Sequence, residues 1–391
     1  MELNRYNRWI EDIDMLSGEL LKRHKNLFFQ KSEKEFYTEI EDLKKDIEYY
    51  DDYELQVKLA KIVASFGDAH TSLAPIVRWI LPFEFYWLSD GIYIIEALSE
   101  YEEMKYCKLI SVNDIDINEI IEKLSLIISH ENEWYLKSQL PKYLQAVDLL
   151  YGLEIIDEVD YVYINFEDIE GNIKTLRVKS FSVREASEEF KLITNNLSKY
   201  GNVPLYRKSP HKYYWFEYLE SFRIVYFKYN ACRNMEDKSV DEFGKELIDF
   251  INKSKVEKLV IDLRNNFGGN STLLEPLINS LSKLEKLNQK GKLFVIIGRE
   301  TFSSALLNTL SLKEKTNAIF LGEPTGGKPN CYGEVERFKL KNFGFAVSCS
   351  TKYYKAIEDD EISTFAPDIN IKLSIEDYMN NRDLCLEYVK C

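Results

Sequence analysis

The chain has 391 residues, of which 45% are hydrophobic and 30% charged, and this composition is typical of a globular protein with two or three domains. Its formal net charge of −14 disfavours a nucleic-acid partner, because the phosphate backbone binds clusters of lysine and arginine. No apolar run approaches the ~18 residues of a membrane span, and the first residues lack the apolar core of a secretion signal. We therefore expect a cytoplasmic protein without a membrane span.

The number and spacing of the cysteines and histidines limit which disulfides and metal sites the chain can form. The six cysteines lie far apart without a CxxC pair, which is typical of reduced thiols. The four histidines form no HExxH motif, so the sequence does not favour a histidine-built zinc site. We expect neither a metal nor a cofactor.

The spacing of apolar residues predicts two segments in the first half of the chain. Residues 1–66 place apolar side chains three and four positions apart, as in Trp9, Ile13 and Leu16, and are predicted to form helices. Residues 67–195 are predicted to form a small mixed domain. Its predicted strands and helix are strands 83–88, 92–95, 108–112, 161–165 and 175–179 and helix 118–124.

A polar stretch at 192–212 contains Gly201, Pro204 and Pro210 and is the predicted linker. Beyond it, residues 205–391 alternate between strands and helices, which predicts a layered α/β core. The predicted elements are strands 222–227, 258–262, 293–297 and 318–321, and helices 240–253, 303–313 and one starting at about Ser271.

A glycine-rich loop follows the predicted strand 258–262. It runs from Arg264 to Asn270, and its residues Gly268 and Gly269 permit backbone conformations that other residues avoid. Their N–H groups could face an oxyanion, or the pair could form a tight strand-to-helix turn. The residues alone leave both interpretations open.

Hydroxyl groups cluster where the predicted strand 293–297 meets the next helix. They belong to Thr301, Ser303 and Ser304. A helix N-terminus stabilises negative charge, which suits an attacking serine oxygen. Helix capping is the commoner role of serine and threonine at such positions, so both roles stay open.

The segment 322–328 nearly matches a phosphate-binding P-loop, since Gly327 and Lys328 have the expected spacing from Gly322. The next position should be serine or threonine, to bind magnesium, but it is Pro329. The sequence therefore disfavours a nucleotide-binding loop here.

One histidine stands apart from the others. His70 follows Asp68 in a compact polar turn between a predicted helix and apolar sequence. His24 lies in a run of lysine and arginine and is expected to be solvated, and His130 and His211 are expected to be exposed.

Taken together, these segments resemble the carboxyl-terminal processing (tail-specific) serine protease family, closest to its branch with tricorn core protease and the chlamydial protease-like activity factor. Residues 259–270 are similar to the family's strand and oxyanion loop, and 301–303 to its Thr-Ala-Ser nucleophile segment. Residues 322–328 are similar to its Gly-Glu-x-Thr-x-Gly-Lys segment. The match covers about 205–375 well and about 60–125 loosely.

The two branches of the family differ in the general base. In one branch the nucleophile pairs with a lysine, which corresponds to Lys328 here. In the other it pairs with the histidine of an Asp-x-His turn, matching His70, and with a glutamate seven positions before a Pro-Asp pair, matching Glu361. We favour the second arrangement, because a triad also accounts for Glu361.

The resemblance implies an α/β fold with a ClpP/crotonase-like ββα-spiral core, an N-terminal helical segment and a small PDZ-like domain. It implies a serine peptidase acting on a peptide or protein substrate through Ser303, with an oxyanion hole formed by the N–H groups of Ser304 and of Gly268 or Gly269. Homo-oligomers occur among relatives and are possible here. The alternative is a non-catalytic protein that binds a ligand or peptide on the same fold.

Overall fold

The structure, a computed structural model, describes residues 4–200 and 203–391, without side chains for 194–200. The helices are α1 Arg5–Arg23, α2 Glu33–Lys45, α3 Asp52–Ala64, α4 Ile117–Ser125, α5 Glu133–Gln145, α6 Val147–Gly152, α7 Val183–Tyr200, α8 Val240–Lys253, α9 Glu275–Ser282, α10 Ser304–Lys315, α11 Ile375–Met379 and α12 Leu384–Lys390.

The strands alternate with these helices along the chain. They are β1 Ser72–Ala74, β2 Trp79–Ile80, β3 Phe83–Leu88, β4 Gly91–Ala97, β5 Lys108–Val112, β6 Ile115–Asp116, β7 Tyr161–Glu167, β8 Ile173–Lys179, β9 Phe181–Ser182, β10 Tyr214–Leu219, β11 Ile224–Tyr229, β12 Lys258–Asp262, β13 Leu293–Ile297, β14 Ile319–Gly322, β15 Cys331–Lys339, β16 Ala346–Tyr354 and β17 Ile369–Asn370. The protein is a mixed α/β molecule, as predicted.

Two compact units share the chain, and neither is continuous in sequence. Unit 1 comprises residues 1–131, 139–194 and 331–354. Unit 2 comprises residues 132–138, 195–330 and 355–391. The predicted segments 1–66, 67–195 and 205–391 are each continuous, so they differ from these units in placing 331–354 with the last segment.

Unit 2 is built on a six-stranded sheet in the order β10-β11-β12-β13-β14-β17. The strands from β11 to β17 are parallel, and β10 pairs with β11 antiparallel. The central strands β11, β12 and β13 are buried almost throughout, because helices cover both faces of a parallel sheet. Helices α8, α9 and α10 pack on one face, and α12 packs on the other.

Unit 1 combines the N-terminal helices with three small sheets. Helix α1 buries the apolar stripe Trp9, Ile13, Leu16 and Leu20, which recurs at helical spacing. The larger sheet has the order β3-β4-β5-β7-β8, with β6 beside β5, and β2 pairs with β9. The third sheet has the order β1-β16-β15, so the late hairpin β15–β16 pairs with an early strand.

Most predicted elements are confirmed, and the differences have physical causes. Helix α7 continues through 200, so the first part of the predicted linker 192–212 is helical, while 201–202 lie outside the described residues. Strand β10 went unpredicted because it follows that polar stretch directly, and β11 begins at Ile224 because a short 3-10 turn occupies Glu220–Phe222. The hairpin β15–β16 also went unpredicted, since its half-exposed strands give only a weak alternation.

Candidate active site

Three of the four segments that the sequence analysis singled out follow neighbouring parallel strands. The glycine loop follows β12, the hydroxyl cluster follows β13, and the segment ending at Lys328 follows β14. The carboxyl ends of parallel strands meet at one edge of a sheet, which is where sites form in such folds. The sheet therefore brings these three loops together.

The backbone at Ser303 has a conformation that residues with a side chain rarely adopt. Its φ is 53° and its ψ is −127°, and it occupies the N-cap position of α10. Its side chain makes no capping hydrogen bond, so the capping role that the sequence left open is not the one observed. The half-buried hydroxyl stands at the positive end of the helix.

The neighbouring hydroxyls have structural partners. Thr301 is buried, and its Oγ1 donates to the carbonyl of Leu263 at 2.9 Å while accepting from the N–H of Gly298. The Oγ of Ser304 donates to the carbonyl of Gly269 at 2.8 Å. Of the three hydroxyls, that of Ser303 is the one without a structural hydrogen bond within the described part of the chain.

The glycine loop lies directly against the Ser303 turn. A methyl group on Gly268, whose φ is 103°, would lie 2.8 Å from Cβ of Ser303 and 2.9 Å from the backbone nitrogen of Ser304. The N–H of Phe302 also donates to the carbonyl of Asn266 at 3.1 Å. Only a residue without a side chain permits this approach, so the glycine is required at 268.

Of the three N–H groups predicted as oxyanion donors, one already has a hydrogen-bond acceptor in the part of the chain that the structure describes and two do not. The N–H of Gly268 donates to Oδ1 of Asn266 at 2.9 Å and is therefore occupied. The N–H groups of Gly269 and Ser304 have no acceptor among the described residues. The carbonyl of Gly268 and the N–H of Asn270 are held by the backbone of Cys232, at 3.0 and 2.8 Å.

A buried charge cluster lies beneath the glycine loop. Asp262 ends β12, and its carboxylate lies 2.9 Å from Nε of Arg264 and 3.2 Å from Nζ of the fully buried Lys228. Burial alone would raise the pKa of Asp262, but the charges of Arg264 and Lys228 outweigh it and lower that pKa. Arg264 also forms a bidentate pair with Asp383. The cluster fixes the start of the glycine loop.

The loop after β14 also contacts the Ser303 turn. The N–H of Gly327 donates to the carbonyl of Thr301 at 3.1 Å, and a methyl group on Gly327 would lie 3.4 Å from Cα of Phe302. This places the backbone of the half-buried Lys328 beside the Ser303 turn. No helix follows, since β15 begins at Cys331, so the P-loop interpretation is wrong.

Glu361 lies in the same unit, on the loop 355–365. Its side chain is exposed, and its N–H donates to Oδ1 of Asp359 at 2.9 Å. The loop is tied to the segment after β14, because the N–H of Phe365 donates to Oγ1 of Thr325 at 3.0 Å. Glu361 is thus carried by a loop that contacts the loop of Lys328.

His70 belongs to unit 1, where it lies in the turn between α3 and β1. Asp68 organises this turn by accepting hydrogen bonds from the N–H of His70 at 2.9 Å and from the hydroxyl of Thr71. Burial lowers the pKa of His70, and the charge of Asp68 opposes that effect without cancelling it. The imidazole is therefore neutral at pH 7, the state that a general base needs.

The prediction that His24 is solvated is wrong. His24 is buried, and its Nε2 lies 3.1 Å from Oδ2 of Asp68. Its Nδ1 accepts the N–H of Asn26 at 3.1 Å, so the ring proton is on Nε2 and is donated to Asp68. His24 is the C-cap residue of α1, and its ring packs against the rings of Phe29 and Tyr332. As expected, His211 is exposed, whereas His130 is only partly so.

Sequence reasoning missed the segment 132–138. Asn132 donates to the carbonyls of Gly326 and Ser363, and the ring of Tyr135 packs on Phe302. These hydrogen bonds join residues 194 and 231 positions apart in the chain. A polar residue directly before a helix is usually a helix cap, so no local pattern in the sequence indicates that Asn132 also binds two distant loops.

Comparison with known proteins was made by sequence and by structure. No protein-family model matches the chain, and no curated protein matches it in sequence. Among solved structures, mature CPAF (the chlamydial protease-like activity factor) complexed with lactacystin is similar at 15% identity and a TM-score of 0.65, over 98% of this chain and 97% of that one. A serine-to-alanine mutant of CPAF gives 14% identity and a TM-score of 0.67, over 98% and 97%.

At this identity the comparison shows the fold. The chain has the fold of CPAF across nearly its whole length, so the resemblance predicted from the sequence is confirmed at that level. Within the described ranges, no helix has the length and apolar character that crossing a bilayer requires.

Proposed function

We propose that the chain is a serine peptidase that hydrolyses peptide bonds of a peptide or protein substrate through an acyl-enzyme on Ser303. The observation that carries the proposal is the Ser303 turn. It combines a strained backbone, a hydroxyl that does not cap its helix, and a glycine loop packed against it. This is how a fold presents a nucleophile rather than a helix cap.

The proposed reaction has two halves. Oγ of Ser303 attacks the peptide carbonyl carbon while the general base takes its proton, and the base then gives that proton to the departing amine. Water attacks the resulting ester with the base again accepting a proton, which releases the acid and restores Ser303. The N–H groups of Gly269 and Ser304 are the proposed oxyanion donors, because Asn266 occupies that of Gly268.

We propose His70 as the base, oriented by Glu361. Burial lowers the pKa of His70 below its ordinary value, which favours the neutral imidazole that can accept a proton. Asp68 holds its turn through the backbone.

The second candidate is a Ser303–Lys328 dyad. It is supported by the contact between Gly327 and the nucleophile turn, which brings the backbone of Lys328 beside Ser303. A lysine acts as a base only in its neutral form, which burial favours.

The test is labelling of the protein with a fluorophosphonate, followed by peptide mapping. We expect the label on Ser303, its loss in Ser303→Ala, and its retention in Ser280→Ala, whose hydroxyl bonds within α9. The absence of label on the wild-type protein would favour a non-catalytic binding protein on the same fold.

The base is assigned by comparing three variants in the same assay. If His70 is the base, His70→Ala and Glu361→Gln slow labelling, by roughly 10²-fold or more for His70→Ala, and Lys328→Met has the smaller effect. The reverse order assigns the dyad.

A further inference from the structure

The segment 132–138, here named the Asn132 segment, belongs to unit 2 although the residues on both sides of it in sequence belong to unit 1. It contains Asn132 and the first residues of α5. The contacts that these seven residues make within unit 2 indicate their role.

Every polar atom of the Asn132 carboxamide is used. Its Nδ2 donates to the carbonyl of Gly326 at 2.9 Å and to the carbonyl of Ser363 at 2.7 Å. Its Oδ1 accepts the N–H of Tyr135 at 2.9 Å, which caps α5. The opposite amide orientation would set an oxygen against two carbonyl oxygens, so the contacts themselves fix the orientation.

The two carbonyls belong to the two loops that carry candidate catalytic residues. Gly326 is two positions before Lys328, and Ser363 is two positions after Glu361. Asn132 therefore links the loop of Lys328 to the loop of Glu361 at a second point, in addition to the hydrogen bonds between Thr325 and Phe365.

The same segment contacts the nucleophile turn. The ring of Tyr135 packs on the ring of Phe302, the residue before Ser303, with 4.4 Å between centroids. A methyl group on Gly326 would lie 3.2 Å from Cα of Tyr135 and 2.2 Å from the carbonyl oxygen of Arg299. No side chain fits between these backbones, so the Asn132 segment packs closely against the loop of Lys328.

We propose that Asn132 and Tyr135 are positioning residues of the candidate active site. Asn132 fixes the loops of Lys328 and Glu361 relative to each other, and Tyr135 fixes the nucleophile turn through Phe302. The consequence for catalysis rests on the proposed function, whereas the coupling of the loops does not. Displacement of a catalytic group by ~1 Å costs about 10²-fold in rate, which sets the scale of the expected effect.

The decisive variant is Asn132→Asp. Aspartate keeps the shape, the oxygen that caps α5 and a favourable charge at the helix N-terminus, but it loses both N–H donors to the loops. We expect Asn132→Asp to lower the maximal rate of fluorophosphonate labelling roughly 10²-fold, while the fluorophosphonate concentration that gives half the maximal rate stays within about twofold of wild type. A role confined to capping predicts wild-type rates for Asn132→Asp and a loss only for Asn132→Ala, and that result would overturn the proposal.

Tyr135 is tested by a matched pair of variants. Tyr135→Phe keeps the ring on Phe302, and Tyr135→Leu removes it. We expect Tyr135→Phe to label at least tenfold faster than Tyr135→Leu, and equal rates would contradict the role of the ring.

A readout independent of activity separates this inference from the proposed function. In the Ser303→Ala background, we expect Asn132→Asp to accelerate hydrogen exchange in 323–330 and 357–366, while amides of 139–145 in α5 keep wild-type protection. If wild-type Ser303 is not labelled but exchange changes in this way, the proposed function fails and the coupling stands. If exchange in both loops is unchanged, the coupling is wrong whatever the activity.

Discussion

At the scale of single residues, the candidate site depends on positions where the backbone leaves no room for a side chain. Gly268 is the clearest case, because its α-carbon faces Cβ of Ser303 and the backbone of Ser304. Backbone atoms cannot move aside as the end of a flexible side chain can, so a substitution there must displace one loop from the other.

This argument predicts the outcome of Gly268→Ala. We expect a loss of fluorophosphonate labelling of at least 10²-fold, since the proposed oxyanion donors move away from Ser303. The control is Gly291→Ala, because Gly291 also has a positive φ (82°) but nothing lies within 4 Å of the added methyl group. Gly291→Ala introduces only backbone strain, so we expect Ser303 of this variant to be labelled at the wild-type rate. Equal labelling of both variants would contradict the close approach.

The charge of Asp68 predicts a shift in pH dependence. In the triad mechanism the acid limb of kcat/KM reports protonation of His70, which burial moves below its ordinary pKa of 6.5. Asp68→Asn removes the negative charge that favours the imidazolium, so this pKa falls further and the acid limb moves to lower pH. His24→Gln retains the charge of Asp68 and should leave the limb in place. A limb that moves to higher pH in Asp68→Asn would contradict this assignment, and a limb unaffected by Asp68 would favour Lys328.

At the scale of elements, the C-terminal helix anchors the glycine loop. Helix α12 packs on the sheet through Cys385, Leu386 and Val389, and Asp383 before it holds Arg264. The sequence predicted β12, β13, β14 and α8 nearly as observed, because continuous apolar runs and helical apolar spacing are local signals. It did not indicate the Arg264–Asp383 pair, since a contact across 119 positions leaves no local pattern.

Breaking this pair should cost stability. Asp383→Asn leaves a buried guanidinium short of one carboxylate, and we expect the free energy of unfolding to fall by about 3 kcal/mol. The matched control is Asp249→Asn, whose partner Lys253 is exposed on α8 and whose loss should cost below about 0.5 kcal/mol. The free energy of unfolding of both variants is measured by denaturant unfolding. Equal decreases in the two variants would mean that the Arg264–Asp383 pair does not stabilise the protein more than an exposed pair does.

At the scale of the whole molecule, the sequence allowed a correct fold class and a candidate set of residues, but not the division into units. The helical start, the first hairpin at β3–β4 and the α/β alternation are each encoded locally. The pairing of β1 with β16 depends on residues more than 270 positions apart, such as Thr71 and Ser350, whose backbone N–H donates to the Thr71 hydroxyl at 3.1 Å. Hydrophobic periodicity predicts where the strands lie, but it does not predict which distant strand pairs with each of them.

This division predicts that cutting the chain after residue 194, where the middle segment of unit 1 ends within α7, does not give two stable fragments. Fragment 1–194 lacks the hairpin β15–β16, and with it the rings of Phe343 and Phe345 against Trp9. We expect this fragment to show no cooperative thermal transition by circular dichroism. Joining 331–354 to it through a Gly/Ser linker should restore one, and a cooperative transition in 1–194 alone would contradict the assignment of the hairpin to unit 1.

The hairpin β15–β16 also determines when the turn of Asp68 and His70 can gain its partner strand during synthesis. The turn of Asp68 and His70 leaves the ribosome early, but the strand that holds Thr71 follows only some 280 residues later. At roughly 5–20 residues per second, that interval is on the order of tens of seconds. By then Ser303 has been made too, so the Asp68–His70 turn gains its partner strand only after the proposed nucleophile has been synthesised. Under the proposed function, activity therefore arises only after the hairpin β15–β16 has been synthesised.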